Sequence, residues 1–340
     1  MKNIILIVTF YFSLSFSALA EYTMIIPQKP GGGTSQWAQI IAQYLEPHLG
    51  ESIRLQHIPG ARDIPGFNKF HNELRFDEKT IMVSHGGNGV SYLTEQVDYN
   101  YRDYTPIGGM NLTIVVGEKD LSDHIYFAGG SGQIPDVMAL TLYQCGNLDS
   151  FDAYEKCFKE KITFVKGMSG SERRLAFNNG ELNVTRENPA SYKKHVAKNK
   201  DASVLFTHGI ADVSTMAVVD DPNYPNLSFE KVFTAKWGER PKGEFYEAYL
   251  LIKNYRDTLQ KALWVNKDNP NAEKIKTALT NMLQDEKAVS AITKKVGSYD
   301  WFIGTELLSV VDYLENNKKD NTLNYLKRWQ SEVLGYKVAE

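Results

Sequence analysis

Residues 27–35 read Pro27-Gln28-Lys29-Pro30-Gly31-Gly32-Gly33-Thr34-Ser35 and stand between a short apolar run, Tyr22–Ile26, and an amphipathic one. In the second run Trp37, Ile40, Ile41, Tyr44, Leu45 and Leu49 recur at helical spacing, while Gln36, Gln39, Gln43 and Glu46 fall on the other face. The stretch therefore predicts strand, glycine turn and helix, with Thr34 or Ser35 as the N-cap. A glycine-rich turn opening a helix leaves several backbone N–H groups unpaired and adds the positive end of the helix dipole. A carboxylate or a phosphate fits such a place. The competing reading is a tight connection whose glycines serve geometry alone. Two nucleotide signatures are incomplete. A P-loop would end in Gly-Lys-Ser/Thr, and Gly33-Thr34-Ser35 has no lysine; a dinucleotide fingerprint would need one more glycine after Gly33.

The first twenty residues read as an export leader. Lys2 supplies the positive start, Ile4 to Phe16 the apolar centre, and Ala18-Leu19-Ala20 the small-x-small cleavage pattern. The run is too short for a lasting membrane anchor, no later segment approaches the length of a span, and no cysteine stands at the cleavage point. The mature chain is expected to start near Glu21 and to work in the periplasm. About 320 mature residues exceed one comfortable core and suggest two lobes. A formal net charge of −3, with dispersed basic residues, gives no footprint for nucleic acid. The chain holds two cysteines, Cys145 and Cys157, and in an exported protein this close pair is expected to form a disulfide worth roughly 3 kcal/mol. Two cysteines without clustered histidines do not make a metal site, and no cofactor is expected.

Along the chain, strand patterns alternate with glycine-containing loops and helices. Ser52–His57 ends at Pro59-Gly60-Ala61, Ile64–Leu74 reads as helix, and Thr80–Ser84 as a buried strand running into a second glycine turn, His85-Gly86-Gly87-Asn88-Gly89. Leu112–Val116 and Ile125–Ala128 are strands, the latter entering Gly129-Gly130-Ser131-Gly132 before a helix over Val137–Tyr143. Ile162–Val165 repeats the arrangement into Lys166-Gly167-Met168-Ser169-Gly170-Ser171 and the helical Arg173–Phe177. The last third is mostly helical, with clear periodicity over Asn271–Gln284, Glu286–Val296, Thr305–Tyr313 and Leu323–Leu334. Four strands ending in glycine or serine loops, with no catalytic pattern, favour binding at the carboxyl ends of the strands of an α/β protein.

The ordered motifs resemble those of the solute-binding proteins of tripartite tricarboxylate transporters, the Bug family, over nearly the whole mature chain. Pro-x-x-x-Gly-Gly is present as Pro27 with Gly31-Gly32, and Pro-Gly-Ala as Pro59-Gly60-Ala61. The phrase Tyr-x-x-(Lys/Arg)-Asp-(Phe/Tyr)-x-Pro-Ile runs from Tyr99 through Arg102-Asp103-Tyr104 to Pro106-Ile107. Gly-x-Gly is Gly130-Ser131-Gly132, and Lys-Gly with a later Gly is Lys166-Gly167 and Gly180. Ser35 and Gln39 stand where many members carry aspartate and arginine, and Asp136 where a histidine often follows the Gly-x-Gly loop. The resemblance implies a type II periplasmic-binding-protein fold, two α/β lobes around a ligand cleft. Residues 21–112 plus 208–340 would form the first lobe and 113–207 the second. It also implies a small-molecule carboxylate held by loop amides and delivered, by a monomer, to membrane transporter subunits.

The candidate ligand-binding residues are Gly32, Gly33, Thr34, Ser35, Ser84, Gly87, Gly130, Ser131, Gly132, Lys166, Ser169 and Arg186, with the loops Gly31–Ser35 and Gly130–Gly132 facing one another. Arg62, Arg173 and Arg174 are further cations available to a second carboxylate. Two other functions stay open. A periplasmic hydrolase would use Ser131 or Ser169 with His85 or His208, although neither serine lies in Gly-x-Ser-x-Gly. A binding protein serving a sensor would share the fold. The leader and the cysteines make a first prediction: periplasmic material has the intact mass of a chain starting near Glu21, and gains two hydrogens on reduction. Two free thiols in freshly purified protein would remove the disulfide.

Overall fold

The computed structural model describes residues 21–339 except 61–62, 96, 122, 213–214 and 216. The leader, Ala61 of the Pro-Gly-Ala motif and Arg62 lie outside the described residues.

The strands, in chain order, are β1 (Tyr22–Ile26), β2 (Ile53–His57), β3 (Thr80–His85), β4 (Tyr104–Met110), β5 (Val115–Lys119), β6 (Ile125–Gly129), β7 (Ile162–Lys166), β8 (Val184–Glu187), β9 (Ala202–Thr207), β10 (Ile210–Ala211), β11 (Val218–Val219), β12 (Lys261–Asn266) and β13 (Trp301–Ile303). A six-stranded sheet has the order β13-β4-β12-β3-β1-β2. β1 pairs in parallel with β2 and β3, and β12 enters antiparallel between β3 and β4. Alternation sends Tyr22, Met24, Ile26, Ile81, Val83, Leu263 and Val265 to one face, under the helices Gly33–Leu49 and Ala272–Met282. Ile25, Met82 and Trp264 go to the other face, onto an aromatic cluster of Phe67, Phe70, Tyr99, Tyr101 and Tyr104.

The chain leaves this sheet after Met110. Two smaller sheets follow, β8-β5-β9 and the parallel pair β6-β7. Where the chain returns, the His208 N–H donates to the Ile114 carbonyl, so the outgoing and incoming segments lie side by side. The helices Phe229–Trp237 and Glu244–Thr258 then pack on the helix Ile134–Cys145, and the second of them also packs on Gly86–Thr94. Cys145 and Cys157 are joined by a disulfide between Ile134–Cys145 and Phe151–Lys161, their Cα atoms 6.2 Å apart.

The expected turn at His85–Gly89 is instead the start of the helix Gly86–Thr94, with no loop between it and β3. The glycines are there for contact. A Cβ on Gly89 would lie 2.3 Å from the Tyr255 carbonyl oxygen, and one on Gly86 2.6 Å from that of Arg256. The two helices thus meet backbone to side. A second prediction follows. Gly89→Ala should lower stability by about 1–3 kcal/mol, as overpacking does. Gly33→Ala, whose Cβ would come no nearer than 3.7 Å to Asn188 Nδ2, should leave the urea midpoint in place. Equal midpoints for both variants would contradict the close approach.

Candidate functional site: a cationic cleft

The helix Gly33–Leu49 starts two to three residues earlier than its sequence suggests, with the N-cap at Gly32 rather than Thr34 or Ser35. Gly31 has φ +82°, Gly32 is the N-cap without a side-chain cap bond, and Gln36 N–H is the first to donate back, to the Gly32 carbonyl. Thr34 and Ser35, expected as caps, are instead buried in the first turn. Ser35 Oγ accepts from the Gly31 N–H, bracing the turn. The N–H groups of Gly33, Thr34 and Ser35 have no acceptor in a preceding helical turn, as at any helix start.

The neighbour of this helix end was not legible in the sequence. Lys261 opens β12, and its Nζ donates to Thr34 Oγ1 and to the Gln260 carbonyl, both at 3.0 Å. The residue is 8% exposed, and among the described residues no carboxylate forms an ion pair with it. Burial, aided by the Arg186 cation and opposed by Asp63, pulls its ammonium down to about 7.

Arg186, at the end of β8, is the expected cation that the structure does bring to this place. Its Nε donates to Asp136 Oδ2 at 3.2 Å. Asp136, fully buried on the helix Ile134–Cys145, also takes Arg256 Nη1 and His208 Nε2 on Oδ1, each at 2.8 Å. Burial alone would raise this carboxyl; the Arg256 and Arg186 guanidiniums, with His208, overcome that and hold it well below the usual carboxylate range. His208 is lowered by burial and by Arg256, against the pull of Asp136. Its neutral ring donates from Nε2 to Asp136, and Nδ1 accepts from Tyr249 Oη at 2.8 Å. Arg256 also donates to Asp257, which Lys253 approaches to 3.9 Å. Arg186, Arg256 and Lys253 thus stand near two carboxylates, Asp136 and Asp257, and Lys261 is close enough to Arg186 to feel its charge.

The facing loops close the place off. Asn188 Nδ2 lies 3.7 Å from where a Cβ of Gly33 would be, and a Cβ on Gly132 would lie 3.5 Å from Gly87 Cα. Gly132 therefore approaches Gly87, and Gly33 approaches Asn188. Gly130 N–H donates to Gln133 Oε1, and Ser131 is buried at the same turn. Gly87 N–H donates to His85 Nδ1, so the ring proton sits on Nε2, 3.1 Å from Asp63 Oδ2 but off line for a hydrogen bond.

Three expected residues are elsewhere. Ser84 is buried in the sheet, accepting from Trp264 Nε1 at 2.7 Å. Lys166 donates to the Leu334 carbonyl and lies over the Tyr336 ring, holding the C-terminal segment. Ser169 caps the helix Gly170–Asn178 in a capping box with Glu172 and is exposed. In all three the side chain is spent on the fold. Arg173 donates to the Arg186 carbonyl, and Arg174 pairs with Glu187, so these two brace β8. A separate cavity of about 350 Å³, lined by Leu250, Leu251, Asn254, Tyr313 and Thr322, shares no residue with the cleft. Among the described residues no cluster of His, Cys, Asp and Glu could hold a metal, and no helix is long and apolar enough to cross a membrane.

No protein-family model matches the sequence, and no curated protein matches it significantly. Solved structures do match in shape. BugD, a periplasmic binding protein, superposes with a TM-score of 0.59 at 12% identity, over 92% of this chain and 98% of that one. MatC from Rhodopseudomonas palustris, solved with bound malate, gives 0.58 at 14% identity over 92% and 98%. An R. palustris protein solved with adipate gives 0.57 at 12% over 94% and 98%. The fold is that of the two-lobed periplasmic binding proteins. The late strand β12 between β3 and β4 is the type II arrangement that the motifs implied.

A third prediction comes from Lys261. Its native value near 7 lies below the roughly 10.4 of an unfolded lysine. Below about pH 7 both states hold the proton and the burial penalty is complete; above it the unfolded chain alone keeps the proton, so stability rises with pH. Ligand-free protein should gain up to about 1.4 kcal/mol per pH unit between pH 7 and pH 9. Urea midpoints of Lys261→Met should lack this slope. The same slope in both proteins would place the titration elsewhere.

Proposed function

We propose that this chain is an extracytoplasmic solute-binding protein of the Bug type that captures a small carboxylate between its lobes. The observation that carries the proposal is the first turn of a glycine-started helix, with its unpaired N–H groups, set beside Arg186 and the buried Lys261, which has no carboxylate ion pair among the described residues. The unpaired N–H groups of that turn and the hydroxyl of Thr34 would replace the ligand's hydration, and the loops at Gly87, Ser131–Gly132 and Asn188 would enclose it. The lobes are taken as residues 21–112 with 208–340, and 113–207, hinged where His208 meets Ile114. The helices at 229–258 pack against both. Ligand exchange then requires Gly132 and Asn188 to draw away from Gly87 and Gly33.

The carboxylates in MatC and in the adipate complex support the ligand class, and the leader supports release into the periplasm. In this reading the protein works as a monomer and hands its ligand to the membrane subunits of a tripartite tricarboxylate-type transporter. It does so without cofactor or turnover. The histidines weighed for a hydrolase are otherwise engaged: His208 with Asp136 and Tyr249, His85 as a helix cap.

A thermal-shift screen of mono-, di- and tricarboxylates tests this fourth prediction. A true ligand at 100 times its dissociation constant should stabilise the protein by about 2.7 kcal/mol. Arg186→Ala should abolish that shift while its own melting stays cooperative. Recovery of a chemically altered compound after incubation would favour the hydrolase.

A further inference from the structure

We propose that Lys261 contacts the bound carboxylate directly, opposite Arg186, and that only its protonated form makes this contact, so that capture takes up a proton. The inference rests on the carboxylate-receptor reading and adds to it a second cation and a proton.

The geometry supplies the argument. Lys261 Nζ has two acceptors, Thr34 Oγ1 and the Gln260 carbonyl. A neutral amine satisfies both with its two N–H bonds. An ammonium has three donors, and the third has no acceptor among the described residues. The third donor and the positive charge are useful only when an anion arrives. Thr34 fixes where that anion would lie, because the same residue that orients Nζ contributes an N–H to the helix start.

The charged groups around Lys261 point the same way. From β8 comes Arg186, a cation that disfavours a second charge nearby. From the segment before the helix Ile64–Lys69 comes Asp63, which favours it but is shared with Gln28 and His85. His85 is the pairing partner of Lys261 on β3, and Met110, on β4, is apolar. On the preceding helix, Arg256 and Asp257 are paired with each other. A ligand carboxylate between Lys261 and Arg186 would reverse the balance, turning two repelling cations into a clamp. The site is thereby matched to an anion of more than one charge, one group on the helix amides and one between the cations.

Isothermal calorimetry with malate, adipate and citrate as probes, and acetate as a singly charged control, tests this in HEPES and in Tris. Between pH 7.5 and pH 9 the Lys261 amine of the free protein loses its proton, so Lys261 is the group in play. The observed heat should depend on the buffer in the sense of proton uptake, rising toward one proton at the upper end. Affinity should fall up to ten-fold per pH unit there. Lys261→Arg should bind with no proton uptake and a flat pH profile, which also shows that the fold tolerates the position. Lys261→Met, checked by circular dichroism, should bind at least ten-fold more weakly at pH 7. A probe that binds wild type without proton uptake, or equally well after Lys261→Met, overturns the role of Lys261 and leaves the receptor reading standing. If no probe binds and acetate does not either, the receptor reading fails and this inference falls with it.

Discussion

A lysine cannot stay charged inside a protein on two neutral oxygens alone, and the cleft is arranged around one that has little else. Lys261 is there because β12 enters the main sheet late and antiparallel, between strands laid down early in the chain. That insertion sets the first residue of β12 beside the first turn of the helix that follows β1. The contact between Lys261 Nζ and Thr34 Oγ1 spans 227 positions of sequence and holds the end of the chain's first loop in register with its last central strand. Dispersal of charge into water is closed to it. The remaining ways to settle it are loss of the proton or arrival of an anion, and the proposed binding cycle uses both.

Asp136 pairs with Arg186 as no carboxylate among the described residues pairs with Lys261. Buried with three donors on its two oxygens, it holds Arg186 from one nitrogen, and it ties the arginine to the helix Glu244–Thr258 through Arg256. A buried carboxylate so placed costs desolvation, and breaking one partner away would leave a charge uncompensated. The network is therefore best understood as positioning: β8 is a four-residue strand, and Arg173, Arg174 and Asp136 together fix where its arginine points. His208 remains neutral within this arrangement, which makes it a donor to Asp136 and removes it as a base.

Much of the fold was legible in the sequence, since it is written in local periodicity. The strand–glycine–helix unit at Tyr22–Leu49, the buried strand at Thr80 and the helix at Glu286–Val296 all follow from alternation or a 3.6-residue repeat. The motif from Tyr99 to Ile107 pointed to the architecture but hid β4, because Pro106 and Gly108-Gly109 read as turn. β12 was missed altogether. Six residues, Lys-Ala-Leu-Trp-Val-Asn, directly after a helix, carry too little pattern to stand out. The site inherits that gap. Arg186 was found because it ends a strand-like run, but Lys261 could be found only through its pairing with His85 and Met110, which is information about the sheet and not about the segment.

The glycines illustrate why a shared local signal does not mean a shared role. Gly31 is needed for its positive φ at the turn. Gly86 and Gly89 are needed because two helices touch there, with carbonyls of Tyr255 and Arg256 where side chains would be. Gly132 faces Gly87 with room to spare, since a Cβ on it would lie 3.5 Å from Gly87 Cα, whereas a Cβ on Gly87 would run into the His85 ring at 2.5 Å. The needs of Gly31 and Gly87 are properties of their own segments, and those of Gly86 and Gly89 are not. The close approach at Gly89 also brings the end of the helix Glu244–Thr258, with Arg256 and then Lys261, against the start of the helix Gly86–Thr94. Packing of glycine surfaces thus decides where Arg256 and Lys261 come to lie, and the proposed choice of ligand rests on that placement.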